Sequence, residues 1–226
     1  MKKIIVLSLL SFLFSSHIFS QKSGVAGGTN RDRIILSAHN GFWQNLDAGV
    51  KQRIISPGFN AAIMVDLPTS EDSPFSFGLG LGFTSHNLHS NAVTQLKYPE
   101  RTTEMMVIPD GIKYKVNKLR FSYLNIPLEF RLRTKGDFRI SIGLRSGIMI
   151  DSFSKYYGND ISGVDNPIKH IDKKIGNLDK YLFEATTRIG WKWIAVSGSY
   201  TLNGMFEKDR GPAISPINVG FSFSLY

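Results

Sequence analysis

Alternation of apolar and polar residues runs through most of this chain, and it is cleanest in residues 216–226. There Ile217, Val219, Phe221, Phe223 and Leu225 alternate with Asn218, Gly220, Ser222 and Ser224, and an aromatic, Tyr226, follows. A period of two describes a strand with one greasy and one polar face. The same reading predicts seven more strands, near 33–43, 59–67, 75–84, 119–133, 138–151, 181–191 and 193–203, several of them 9–11 residues long. Tilted strands of that length cross a bilayer. In the second to eighth segments the apolar face carries no charged side chain, whereas the other face is small or polar, as in Ser76, Gly78, Gly80, Gly82 and Thr84. Such rows suit a narrow barrel interior, and the uncharged faces suit lipid rather than water. The prediction is an all-β, eight-stranded antiparallel up-and-down transmembrane barrel. A soluble lipocalin-type barrel is the rival, and its surface would need the charges these faces lack.

Two details qualify the pattern. In the fourth segment Leu119, Phe121 and Tyr123 run out of phase with Leu124, Ile126, Leu128, Phe130 and Leu132, which predicts a bulge or bend near Tyr123. Aromatics gather at predicted strand ends: Phe42, Trp43, Phe75, Tyr181, Trp191, Trp193 and Tyr226. These are expected to form interfacial girdles at the headgroup level. Short turns at one end and long connections at the other, near 44–57, 88–117, 155–179 and 205–215, complete the expected barrel layout.

The amino terminus adds location. Lys2 and Lys3 precede an uncharged, mostly apolar run over 4–14, and Ser20 offers a small residue for cleavage. Residues 1–20 therefore read as a signal peptide and 21–226 as the barrel, placed in the cell outer membrane. The run is too short for a membrane helix. The chain has no cysteine, which excludes disulfides, a lipidated cysteine and Cys-ligated metal. The net charge of +9 falls to +7 without Lys2 and Lys3. Export makes nucleic acid an implausible partner for that charge, which is better assigned to loops and lumen.

The residues also resemble a known family. Asn117, Lys118 and Leu119, the run YLNIPLE over 123–129, GLRSG at 143–147, RIG at 188–190 and VGFSF at 219–223 are similar to the pattern of PorT-like outer-membrane β-barrel proteins of Gram-negative bacteria. Asn125 stands where that family often has an acid. The resemblance implies the barrel and the membrane. The family's namesake is implicated in type IX protein secretion, so an accessory part in that export is one alternative for this chain.

Candidate chemistry is sparse. The strand parity points Asp66, Glu129, Arg131, Arg133, Arg139, Arg145, Asp151, Glu184 and Arg188 inward. Charges in a low-dielectric lumen need partners, so a structural plug of ion pairs is expected, with Glu129, Arg145 and Glu184 meeting as one cluster. A solute path or proton site is the functional alternative. His86 and His89 lie three apart, so a strand points them opposite ways and they cannot share a metal unless the strand breaks there. His89 and Ser90 faintly suggest an enzyme acting on lipid A or another outer-leaflet lipid. Residues 160–165 lack the spacing of a calcium loop and read as a solvated turn. No catalytic, cofactor or metal residues are assigned. The expected role is binding or structural, exerted through extracellular loops rather than an open pore. Expected partners are outer-membrane lipid, including lipopolysaccharide, and other outer-membrane proteins. The two longest connections, with their margins, hold ten Lys/Arg against seven acids.

Overall fold

The computed structural model describes residues 33–70, 73–161 and 166–225. The predicted signal peptide and Tyr226 lie outside them, as do residues 162–165 of the turn read as solvated. Eleven strands follow in order: β1 (Ile34–Gln44), β2 (Pro57–Pro68), β3 (Phe75–His89), β4 (Ala92–Lys97), β5 (Thr102–Val107), β6 (Tyr114–Arg133), β7 (Phe138–Asn159), β8 (Pro167–Asp172), β9 (Tyr181–Trp191), β10 (Ile194–Thr201) and β11 (Ser215–Leu225). Eight of them close an antiparallel barrel in the order β6-β3-β2-β1-β11-β10-β9-β7, with β6 paired to β7. Pairing of β1 with β11, from Ile34 opposite Leu225 to Gln44 opposite Ser215, joins the two ends of the chain.

The alternation decides which way each strand faces. Ile63, Val65, Leu79, Leu81, Leu124, Leu128, Ile142, Leu144, Val196 and Phe221 all point out and are exposed, Ile63 by 67 %. Burying them in water-soluble form would need a second layer, and none covers them among the described residues. On β6 the lipid-facing row from Leu124 to Leu132 gives a band roughly 20 Å tall at ~3.4 Å per residue and ~40° tilt. That height matches the apolar belt of an outer-membrane barrel.

Short turns join β2 to β3, β6 to β7 and β9 to β10 at one end. The tightest has two residues, Lys192 and Trp193, with Lys192 in the left-handed region (φ 51°). Barrels of this kind place such turns in the periplasm and the longer connections outside.

The other end departs from expectation. Two of the four stretches read as long loops, 88–117 and 155–179, hold much β structure, whereas 44–57 and 205–215 are almost without strand: β4 and β5 form a hairpin, β3, β6 and β7 run on past the lipid band, and β8 adds to the outer part of β7, with Lys155 opposite Ile171 and Tyr157 opposite Lys169. Cross-links knit these connections together. Asn117 Nδ2 donates to the carbonyls of Ser90 and Ala92, Asn177 Nδ2 to those of Arg101 and Arg210, and Thr103 Oγ1 to that of Gly176.

The phase of the fourth predicted strand also needs correction. Leu119, Phe121 and Tyr123 are buried on the same, inward parity as Asn125, Glu129 and Arg131. The strand does not invert; the lumen turns from polar to apolar. A register shift does occur at this point, but the extra residue is Ile150 on β7, between the pairs Ser122–Asp151 and Tyr123–Met149.

Candidate functional site

The interior of the barrel is stacked in layers. At the short-turn end lies a belt of ion pairs. Arg188 Nη2 donates to Glu129 Oε2 at 2.6 Å and Arg131 Nε donates to the same oxygen at 2.9 Å. Arg131 Nη1 also reaches Asp66 Oδ1 at 3.4 Å. Arg139 is buried in the same region. Room for the Arg131 guanidinium comes from Gly78, where a Cβ would stand 2.5 Å from its Cζ.

One layer further out, Glu184 is fully buried and accepts from Arg145 Nη1 at 2.6 Å, Thr201 Oγ1 at 3.2 Å and Ser199 Oγ at 3.3 Å. His86 Nε2 lies 3.3 Å from the same carboxylate, and the ring of His39 lies 5.5 Å from that of His86. Thr84 links Asn60 and Asn125, donating at 2.7 Å and accepting at 3.0 Å. A buried carboxylate held by one guanidinium and several neutral donors keeps its charge compensated without solvent. Between the two belts is a cavity of about 30 Å³, lined by His39, Asn60, Met64, Glu129, Arg145 and Asn218 among others. It has space for a water or two at ~10–15 Å³ each.

Above the belts the lumen is closed by side chains from several strands and outer connections. Trp43, Leu88, Phe121, Tyr123, Leu182, Met205, Phe206 and Ile214 are all buried in one cluster. Trp43 and Phe121 rings lie 5.7 Å apart, Phe206 meets Phe121 edge-on, and Tyr123 Oη donates to Met205 Sδ at 3.3 Å.

The residues singled out in the sequence are distributed as follows. Glu129, Arg131, Arg139, Arg145, Glu184 and Arg188 face the lumen. Glu129, Arg145 and Glu184 do not form one cluster, however. Arg145 stands opposite both Glu184 and Pro127, so Glu129 is two residues away along β6 and takes Arg188 and Arg131 instead. Asp151 is not a lumen residue. The bulge at Ile150 turns it outward, where it is exposed beside an open hollow of about 500 Å³ that Lys173 and Lys180 also line. Trp43 is not an interfacial anchor either: at 6 % exposure it belongs to the apolar closure, and its Nε1 donates to the Asn87 carbonyl. Trp191 and Trp193, 57 % and 54 % exposed, do sit at the short-turn edge of the band, the latter stacked on Phe223. His86 faces the lumen and His89 the outside, because β3 continues unbroken through both. The Ser90 hydroxyl is engaged by the backbone of Ala92.

Sequence reasoning missed the apolar closure and the place of His39 and His86 beside Glu184. The signal for the closure was present in Leu119, Phe121 and Tyr123, which share the parity of the inward polar row.

A family model described as outer membrane protein beta-barrel domain matches residues 19–206. The chain belongs to that family, and with its closed eight-stranded barrel it is a protein of the outer membrane. No curated protein matches it.

Proposed function

We propose that this outer-membrane barrel is a closed, non-conducting platform that binds partners or supports neighbouring proteins through its outer surface. One observation carries the reading: the lumen is blocked in succession, by ion-paired belts and then by the buried cluster of Trp43, Phe121, Tyr123, Met205 and their neighbours. A solute would have to break charge pairs and displace packed aromatics to pass. Purified protein in planar bilayers is therefore expected to show no steady large conductance. A reproducible nanosiemens-scale step would overturn the proposal.

The cross-linked outer end supports the second half of the reading, because a surface fixed by side chain to backbone bonds loses little freedom on binding. The resemblance of 117–119 and 123–129 to PorT-like proteins supports a narrower assignment, exported by the leader at 1–20 in a Gram-negative envelope. From that resemblance alone comes the alternative of an accessory to type IX secretion. Co-purification from native membranes tests it, with export components retained if it holds and absent if it does not. An enzyme acting on outer-leaflet lipid draws no support from His89 and Ser90, since the hydroxyl is occupied within its own turn.

A further inference from the structure

The outward wall of the barrel changes character just above the lipid band on β3, β6, β7 and β8. Strand register sets neighbouring rungs there. Asn87, Arg120 and Phe153 form one, and His89, Lys118, Lys155 and Ile171 form the next. Arg120 is fixed rather than free, with Nε donating to Ser85 Oγ at 3.1 Å and Ser122 Oγ at 3.2 Å. The ring of Phe153 takes two cations, Lys118 at 5.5 Å and Arg120 at 5.6 Å. Among the described residues no carboxylate pairs with Lys118, Arg120 or Lys155, although Asp151 stands on the same wall one rung below.

Three cations on adjacent rungs, with Arg120 pinned by serines and sharing the Phe153 ring with Lys118, repel each other. Their gathering is favourable when an anion is supplied from outside. Their height says which kind. Arg120 is four residues beyond Leu124, the last lipid-facing leucine of β6, or roughly 10 Å at ~3.4 Å per residue and ~40° tilt. The headgroup zone begins at the edge of the hydrocarbon and adds roughly 5–7 Å on each side. Arg120 Nε bonds down to Ser85 and Ser122 on the rung below, which brings its guanidinium to roughly 5 Å above Leu124 at ~3.4 Å per residue, within that zone. Lys118 and Lys155 stand further out, and the rung of Ser85, Ser122 and Asp151 separates the cations from the lipid-facing Phe83, Leu124 and Ile148.

We propose that this wall is a binding site for a phosphorylated glycolipid of the outer leaflet. Arg120, Lys118 and Lys155 hold its phosphate, Phe153 and Tyr157 pack against its sugars, and its acyl chains lie on the apolar wall below. A soluble anion could use the cations alone; the apolar wall that begins one rung further down selects an amphiphile. The inference rests on the outer-membrane placement and on the long connections facing outward, and is independent of whether the lumen conducts.

The test uses the full-length mature protein in detergent, with native mass spectrometry reading retained lipid. The probes are bisphosphorylated lipid A, the same lipid enzymatically dephosphorylated, and phosphatidylglycerol. Wild-type protein is expected to retain the phosphorylated form at least tenfold better than either of the others, with a preference that weakens in high salt. The triple variant Arg120→Gln, Lys118→Gln, Lys155→Gln is expected to lose that preference while remaining heat-modifiable on a gel. The control Lys97→Gln, on the β4–β5 hairpin, is expected to keep it. Equal retention of the dephosphorylated lipid or of phosphatidylglycerol by wild-type protein overturns the site, and so does an unchanged preference in a folded triple variant. Because the first comparison needs no substitution, a variant that fails to fold does not leave the proposal untested.

Discussion

Arg145 faces a carboxylate from which water is excluded, and the asymmetry between pairing and unpairing follows from that. Glu184 has no exposure, and Arg145 supplies its shortest contact at 2.6 Å. Removing one partner of a buried pair leaves a charge whose desolvation nothing offsets, at a cost of about 3–5 kcal/mol. Arg145→Met is therefore expected to lower the unfolding free energy of the folded barrel by about that much. Replacing both residues, Arg145→Met with Glu184→Met, is expected to recover most of the loss, because the remaining partners of Glu184, the Thr201 and Ser199 hydroxyls and the Asn218 amide, tolerate an uncharged neighbour better than an unpaired acid. Urea titrations in lipid, followed by tryptophan fluorescence, measure both. A double variant as unstable as the single one, or a single variant with no cost, would show that the pair is solvated. The pairing across one rung was legible from the turn lengths. Its exclusion of Glu129 was not, because a displacement of two residues along a sheared strand leaves the alternation unchanged.

At the scale of strands, the outward faces were readable because lipid imposes a uniform demand: every second residue from Phe75 to Leu81, or from Ile217 to Leu225, must be apolar. The strands β4, β5 and β8 answer to no such demand. Thr94, Gln95, Thr102, Glu104, Lys169 and His170 lie beyond the bilayer and present polar groups on both faces, so no period marks them as strands. The aromatic Trp43 was misplaced for a related reason. A large ring at a strand end fits either an interface or an apolar closure, and only its inward parity tells them apart. The closure makes a testable difference. Trp43→Ala is expected to cost about 3–5 kcal/mol, as for a large aromatic removed from a packed core. Trp193→Ala, half exposed at the short-turn edge, is expected to cost clearly less. Comparing urea midpoints of the two variants in the same lipid decides it, and a larger loss at Trp193 would mean that the Trp43 cluster is not a packed plug.

For the whole molecule, the two solvents divide the labour of the sequence. Lipid faces the strand exteriors, water faces the knitted outer end, and the lumen is closed to both but for the small cavity between the belts, the chain providing its own charges, counter-charges and apolar seal. Closure by β1 and β11 removes the sheet edges that a membrane would not tolerate. The strands of the band are then paired all the way round, with one gap on β3 and β6 where Pro127 has no N–H to give, and unfolding must break the ring as a unit rather than fray it from an edge. A compact ring of this kind resists detergent at room temperature and opens only on heating. Detergent-solubilised protein is thus expected to migrate differently on a gel before and after boiling, and to precipitate when detergent is removed. The exposed band of Ile63, Leu81, Leu128, Leu144 and Phe221 requires the second result, and the closed hydrogen-bonded ring the first. Identical migration before and after boiling, in protein that stays soluble without detergent, would mean that the apolar faces are turned inward and that this chain is a water-soluble barrel.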